Sequence, residues 1–227
     1  VRREEQPWQS RATLFLDNRY SAHRGRGTAS SLEHAVSAAA SVAVHLVQRG
    51  FTVRLVTAVG EEQGGSWHQR GGISGDASAL LEALAVVGPV DRTDLDTRWL
   101  QEPGHSGLLV AVVGGVSDRD KAAFVRMRHT AATAMALALD IGAWTPSAGV
   151  ARPGTAGQAP GLSSSTSWLQ GHGWQAVTIG RGTSLGSAWQ ELGLSASGRS
   201  RGGPPAPAPG AAAAPPAPPP AARGGPR

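Results

Sequence analysis

Ala12-Thr13-Leu14-Phe15-Leu16-Asp17 is a short apolar run that ends in a carboxylate. A run of this length without polar alternation suits a strand buried on both faces, as strands of a parallel sheet are. The residues after it repeat one unit. Ser30 and Ser31 can cap a helix that carries Leu32, Val36, Ala39, Ala40, Ala43, Val44 and Val47 at helical spacing, and Gly50 is placed to end it. Residues 51–59 read as the next strand, with β-branched Thr52, Val53, Val56, Thr57 and Val59. Ser74 or Asp76 can cap a second helix over residues 77–87, stopped by Gly88-Pro89.

Residues 108–113 form an almost uninterrupted apolar strand, followed by Gly114-Gly115 and Ser117-Asp118. A short helix over 120–128, a strand over 134–139, a weak helix over 165–171, a strand over 174–179 and a closing helix over 185–192 complete the series. Strands alternating with helices predict an α/β, Rossmann-like fold: a mainly parallel sheet with helices on both faces. In such sheets ligands bind at the carboxyl ends of the strands, where the strand order reverses. Asp17, Asp118 and Asp140 fall at strand ends, although Asp is also common in turns.

Two segments depart from this pattern. Residues 145–166 are rich in Gly, Pro, Ser and Ala and read as a flexible insertion. From Ser195 the composition narrows to Pro, Ala, Gly and Arg, too little apolar surface to offset a chain entropy of about 1–2 kcal/mol per residue. We therefore expect one domain over 1–194 and a disordered tail over 195–227.

The charge lies mostly in that tail. The chain has 227 residues, 21 Lys and Arg against 16 Asp and Glu, and no Cys. Behind Glu191 there are four arginines and no acid, so the body carries 17 basic and 16 acidic residues, a net of +1. A nucleic-acid-binding face would be a basic stripe on a folded element, and none is visible. The lack of Cys excludes disulfides, thiolate metal sites and Cys nucleophiles, and is compatible with a reducing compartment. The longest apolar candidate, residues 35–47, is interrupted by Ser37, Ser41 and His45 and falls short of the roughly 18 residues a membrane span needs. Hydrophobic residues make up 40% but aromatics only 5%, so the core should be mainly Val, Leu and Ala. The seven Trp are expected to pack at core edges, and His23, His68, His105, His129 and His172 to lie on the surface or in loops.

Leu14-Phe15-Leu16-Asp17-Asn18-Arg19-Tyr20-Ser21 resembles the first metal-binding loop of von Willebrand factor A domains, Asp-x-Ser-x-Ser at the end of the first strand. Gly71-Gly72-Ile73-Ser74 stands where that family has its Thr loop, and Ser117-Asp118 where it has its Asp loop. The resemblance is closer to a bacterial branch, domain-of-unknown-function family 58. It is carried by Val1-Arg2-Arg3-Glu4-Glu5-Gln6-Pro7-Trp8, the 14–17 and 35–46 segments, Gly50-Phe51, 53–57, Gly173-Trp174-Gln175-Ala176-Val177, Arg181-Gly182-Thr183 and Trp189. That resemblance implies a von Willebrand factor A-like domain, often encoded beside AAA-type ATPases of the MoxR class, with a role in protein assembly or maturation. The family's upstream membrane helices are not in this sequence, which opens at Val1. We therefore expect an N-terminally truncated fragment, cytoplasmic as this chain, from a membrane-anchored parent.

The sequence departs from the metal pattern at Arg19, where the family has its middle Ser. A divalent cation needs oxygen ligands, and Arg offers no acceptor and a positive charge. A like charge about 4 Å away costs about 4 kcal/mol at an effective dielectric near 20. We expect no cofactor; Asp17, Ser21 and Asp118 are the residues that would hold Mg²⁺ or Mn²⁺. Instead, Arg19 should neutralise Asp17 or Asp118, and its fixed fork of donors can bridge the two carboxylates in place of the ion. The expected function is a non-catalytic protein-interaction module with a degenerate metal-adhesion loop, its partner docking at Asp17, Arg19, Ser21, Ser74 and Asp118. The alternatives are a polyanion or nucleic-acid binder acting through the Arg-containing tail, and a metal-dependent hydrolase. Neither a nucleophile elbow nor a phosphate loop is expected, and no His is assigned a catalytic role.

Overall fold

The computed structural model describes residues 10–60, 77–101, 107–145 and 164–199. Five strands, β1 (Arg11–Leu16), β2 (Thr52–Thr57), β3 (Leu108–Val113), β4 (Thr133–Leu139) and β5 (Gln175–Ile179), form one sheet in the order β2-β1-β3-β4-β5. Every pairing is parallel. This is the α/β, Rossmann-like arrangement read from the sequence. The chain steps from β1 out to β2, then returns across β1 to β3 and on to β5. The order therefore reverses between β1 and β3, whose carboxyl ends lie side by side with Leu16 opposite Val112.

Five helices, α1 (Ser31–Gln48), α2 (Ser78–Ala85), α3 (Lys121–Thr130), α4 (Ser164–Gly171) and α5 (Leu185–Arg199), cover the two faces. Helix α1 starts where its cap predicts: the Ser30 side chain accepts a hydrogen bond from the Glu33 N–H. It stops at Gly50, whose φ of +81° lets the Phe51 N–H return to the Leu46 carbonyl. Helix α2 has Ala77 at its cap and no side-chain cap bond; Ser74 and Asp76, the expected caps, lie outside the described residues.

One face packs as expected, from small aliphatic side chains. Leu14, Leu16, Val110, Val112, Leu137 and Ile179 of the sheet meet Ala35, Ala39, Ala43 and Leu46 of α1, Leu84 of α2, and Ala188 and Leu192 of α5. The other face departs from the expected Val/Leu/Ala core. There Trp99, Phe15, Phe124 and Trp174 form a chain of rings, with centroids 6.2, 6.3 and 5.9 Å apart in turn. The strands present mainly Ala on this face, at Ala111, Ala134, Ala136, Ala138 and Ala176. Methyl side chains leave depth between sheet and helices, and Phe15 of β1, Phe124 of α3 and the two Trp of the loops fill it. Trp99, Trp144 and Trp174 are buried and Trp168 and Trp189 pack against the two cores, so the described Trp residues serve packing as expected.

Helix α5 runs to Arg199, past the boundary expected at residue 194. The expected insertion partly overlaps α4, which begins at Ser164; the rest of it, residues 146–163, and the chain from residue 200 lie outside the described residues. No helix among the described residues is long and apolar enough to cross a membrane.

Val112 is fully buried in β3, between β1 and β4. Val112→Asp puts an unpaired charge into the core and should cost at least about 4 kcal/mol. A urea unfolding curve measures this, and a native-like midpoint would refute the central placement.

Candidate functional site at the strand carboxyl ends

Asp17 and Arg19 follow β1 directly, at the reversal point, and both are buried. The backbone of β1 continues for one more residue against β3, with the Asp17 N–H on the Val112 carbonyl at 3.0 Å. Arg19 then turns its side chain back over the strand ends. Its Nε donates to Asp17 Oδ1 at 2.9 Å and its Nη2 to Asp17 Oδ2 at 2.8 Å, a bidentate pair. Its Nη1 donates to Asp120 Oδ1 at 2.5 Å and to the Thr93 carbonyl at 3.0 Å. Thus one guanidinium bridges two carboxylates from different strand ends.

Burial alone would lower the Arg19 pKa, but the hydrogen bonds and charges of Asp17 and Asp120 outweigh it and raise it. The group is a permanent cation, and four of its five N–H donors meet an acceptor in the site.

The bridge was expected from sequence, but its second carboxylate was assigned to Asp118. The structure corrects this: Asp118 is exposed on the turn before α3 and pairs with Lys121 at 2.6 Å, three residues on. Asp120 is the buried partner. Its Oδ2 accepts from the backbone N–H of Ser117 at 2.8 Å and from the Ser117 hydroxyl at 2.7 Å. The signal was present in Ser117-Asp118-Arg119-Asp120, a Ser three residues before an Asp at a helix start. In that turn the third residue after Ser folds back on it, while the one next to Ser faces out. Ser21 lies exposed on the turn Tyr20–Ala22, and its carbonyl accepts from Arg24. Ser74 lies outside the described residues. Asp140, at the end of β4, caps the turn Ile141–Trp144 through the Gly142 N–H.

Two more residues complete the site, and sequence reasoning missed both. Asn18 is buried; its Oδ1 accepts from the Ala58 N–H at the end of β2, and its Nδ2 donates to the Gly88 carbonyl at 2.8 Å. With the backbone bonds between Asn18 and Val90 and between Tyr20 and Val90, it straps residues 88–93 across the site. His23, expected on the surface or in a loop, lies in the loop after the turn Tyr20–Ala22 and is buried there. Its Nε2 lies 2.5 Å from the Asp17 carbonyl oxygen and its Nδ1 lies 3.0 Å from the Ser31 hydroxyl. The Ser31 oxygen also accepts the Arg24 N–H. The consistent pattern puts the proton on Nε2, with Nδ1 accepting from Ser31. Burial holds the His23 pKa below its ordinary value, against the pull of the Asp17 carbonyl and charge and with the help of Arg19 and Arg24.

The loop closes tightly on the end of β3. The Gly115 N–H donates to the Ala22 carbonyl at 2.8 Å, and a Cβ on Gly114 would collide with that oxygen. The place where open α/β sheets commonly admit a ligand is filled here by the chain's own turn and guanidinium.

The oxygen set of a divalent cation does not fit this arrangement. Both Asp17 oxygens and one Asp120 oxygen face guanidinium hydrogens, and the other Asp120 oxygen faces Ser117. Among the described residues no three His, Asp or Glu cluster at metal-binding distance. The absence of a nucleophile elbow expected from sequence needs one correction: Gly182-Thr183-Ser184-Leu185-Gly186 does have the Gly-x-Ser-x-Gly spacing. Ser184 sits directly before α5, five residues beyond β5, and its hydroxyl makes no hydrogen bond to a His among the described residues. It is a helix-start residue in a match of spacing alone.

Fold and site together define a parallel α/β domain with an ion-paired cluster at its topological switch point. No family model matches the chain, and no curated protein matches it.

Removing Arg19 while leaving both carboxylates buried should cost about 3–5 kcal/mol, as broken buried ion pairs do. Arg19→Ser should therefore melt well below the wild type. Adding Mg²⁺ should leave the wild-type melting point unchanged and raise that of Arg19→Ser, by an amount that grows with free ion. A wild-type response to micromolar Mg²⁺ would overturn the assignment of Arg19 as the cation of this site. His23 gives a pH dependence of definite sign. With its folded pKa below 6.5, the unfolded chain takes up a proton first, so stability falls as pH drops from about 6.5 to the folded value. The slope is at most about 1.4 kcal/mol per pH unit, and it should be absent in His23→Gln when urea midpoints are compared from pH 7 to 5.

Proposed function

We propose that this chain is a non-catalytic protein-interaction module whose partner docks at the carboxyl ends of the strands. The observation that carries this reading is the Arg19 bridge between Asp17 and Asp120. A reaction or cofactor site would keep donors and acceptors available to a ligand. Here they are consumed internally, and what the loop offers outward is a rigid shape with exposed Tyr20 and Arg24. A surface held by a buried ion pair and a strap of backbone bonds suits recognition, because little ordering entropy is left for binding to cost.

In this reading the domain is von Willebrand factor A-like with its metal-adhesion loop made degenerate by Arg19. The resemblance to domain-of-unknown-function family 58 makes a MoxR-type AAA ATPase the partner class to test, in protein assembly or maturation. The lack of Cys fits work in the reducing cytoplasm.

A photo-crosslinking residue in place of Tyr20 should give a discrete adduct with such an ATPase when the gene is expressed in its native setting. The same residue in place of Ser10, exposed at the opposite end of β1, should give none. No adduct from position 20, or a hydrolytic activity abolished by Asp17→Asn, overturns the reading.

A further inference from the structure

We infer that the β1–α1 loop holds a recognition pocket for an acidic segment of a partner protein that carries a large apolar side chain. This rests on the docking reading above and names the chemistry of its partner. A cavity of about 390 Å³ opens between this loop and the strap at Pro89. Its walls include Tyr20, Leu32 and Pro89, and Arg24, Arg26 and Glu33 line it too. Tyr20 is 63% exposed, a large ring that nothing among the described residues covers.

Two features of the pocket limit what can fill it. Its apolar wall calls for an apolar side chain, since a polar occupant would lose hydration there without hydrogen-bond partners. Its basic residues call for an anion nearby. Neither Arg24 nor Arg26 meets a carboxylate among the described residues. The Arg24 guanidinium donates only to the carbonyls of Ser21 and His23, and Arg26 makes no side-chain hydrogen bond. Guanidinium groups on an apolar rim pair well with carboxylates, in a bidentate geometry that a partner's Asp or Glu supplies. A nucleic-acid backbone is disfavoured by the near-neutral body of the chain, which offers no extended basic stripe.

The loop is also built to keep its shape. Gly25 has φ +83°, and a Cβ there would press on the Ser30 backbone at 3.0 Å. Beneath it His23 is fixed by Asp17 and Ser31. The pocket is therefore tied to the buried cluster at one end and to the cap of α1 at the other, so that it is formed before any partner arrives.

The test is a random-peptide display selection on the intact chain, with Arg26→Glu as the counter-target. Arg26 holds nothing in the fold, so this variant should melt like the wild type. Peptides enriched on the wild type should carry Leu, Ile, Phe or Trp with Asp or Glu within three positions. They should bind Arg26→Glu at least tenfold more weakly, and Tyr20→Ser should weaken them as well. Selection repeated on Arg26→Glu should shift the flanking residues from acidic to basic. Enriched peptides without acidic bias, or equal binding to wild type and Arg26→Glu, overturn the inference. So does peptide binding that appears only after residues 61–76 are replaced by Gly and Ser, which would make that segment the occupant, or self-association lost on Tyr20→Ser, which would make it a second copy. Adducts from position 20 with peptides lacking acidic bias would sink the acid chemistry and leave the docking reading standing. The loss of both adducts and peptides would sink the two together.

Discussion

The Arg19 guanidinium between Asp17 and Asp120 is the constraint on which the upper end of this molecule depends. Two carboxylates at adjacent strand ends, both withdrawn from water, repel each other unless a cation lies between them. In this chain the cation is covalently part of the loop. That choice has consequences beyond charge. A guanidinium has a fixed planar fork, so it sets the directions from which Asp17, Asp120 and the Thr93 carbonyl approach, and through them the positions of β1, the α3 turn and the strap.

The surrounding polar groups are then forced. With Arg19 turned inward, the chain must rise immediately, and Tyr20–Ala22 forms a tight turn whose carbonyl at Ala22 lands on the end of β3. Gly114 is needed there because any side chain would meet that oxygen. His23 comes under the loop as a neutral imidazole, donating to one backbone carbonyl and accepting from Ser31, which begins α1. Asn18 ties the ends of β1 and β2 to residues 88–93. Each of these contacts satisfies a polar group that burial would otherwise leave costly. The same closure leaves Tyr20 and Arg24 exposed on the outer side of the loop.

The two faces of the sheet reach their packing differently. On the face that α1, α2 and α5 cover, Ala, Val, Leu and Ile make most of the contacts. On the other face, where the strands present mainly Ala, four of the chain's few aromatic rings collect in a row. A low aromatic content thus did not mean an aliphatic core throughout. It meant that the rings were concentrated where methyl groups could not fill the space.

What the sequence by itself determined is the series of elements and the parallel sheet. Uninterrupted apolar runs such as residues 108–113, a Ser cap at Ser30 and a glycine stop at Gly50 are local signals, because strand burial and helix ends depend on neighbours a few residues away. The sequence also made Arg19 legible as a misfit in a metal-loop pattern and as the cation for Asp17, since the two lie in one short turn. Tertiary structure alone decided that Asp120 and not Asp118 completes the bridge, that His23 is buried, and that Asn18 and Thr93 meet at the same place. The contacts of Arg19 and Asn18 join residues far apart in the chain, and His23, although its partners Asp17 and Ser31 are near in sequence, is buried by the loop folding back over the strand ends. Their existence depends on strand order and on which side of a turn a residue faces, and no local pattern encodes either.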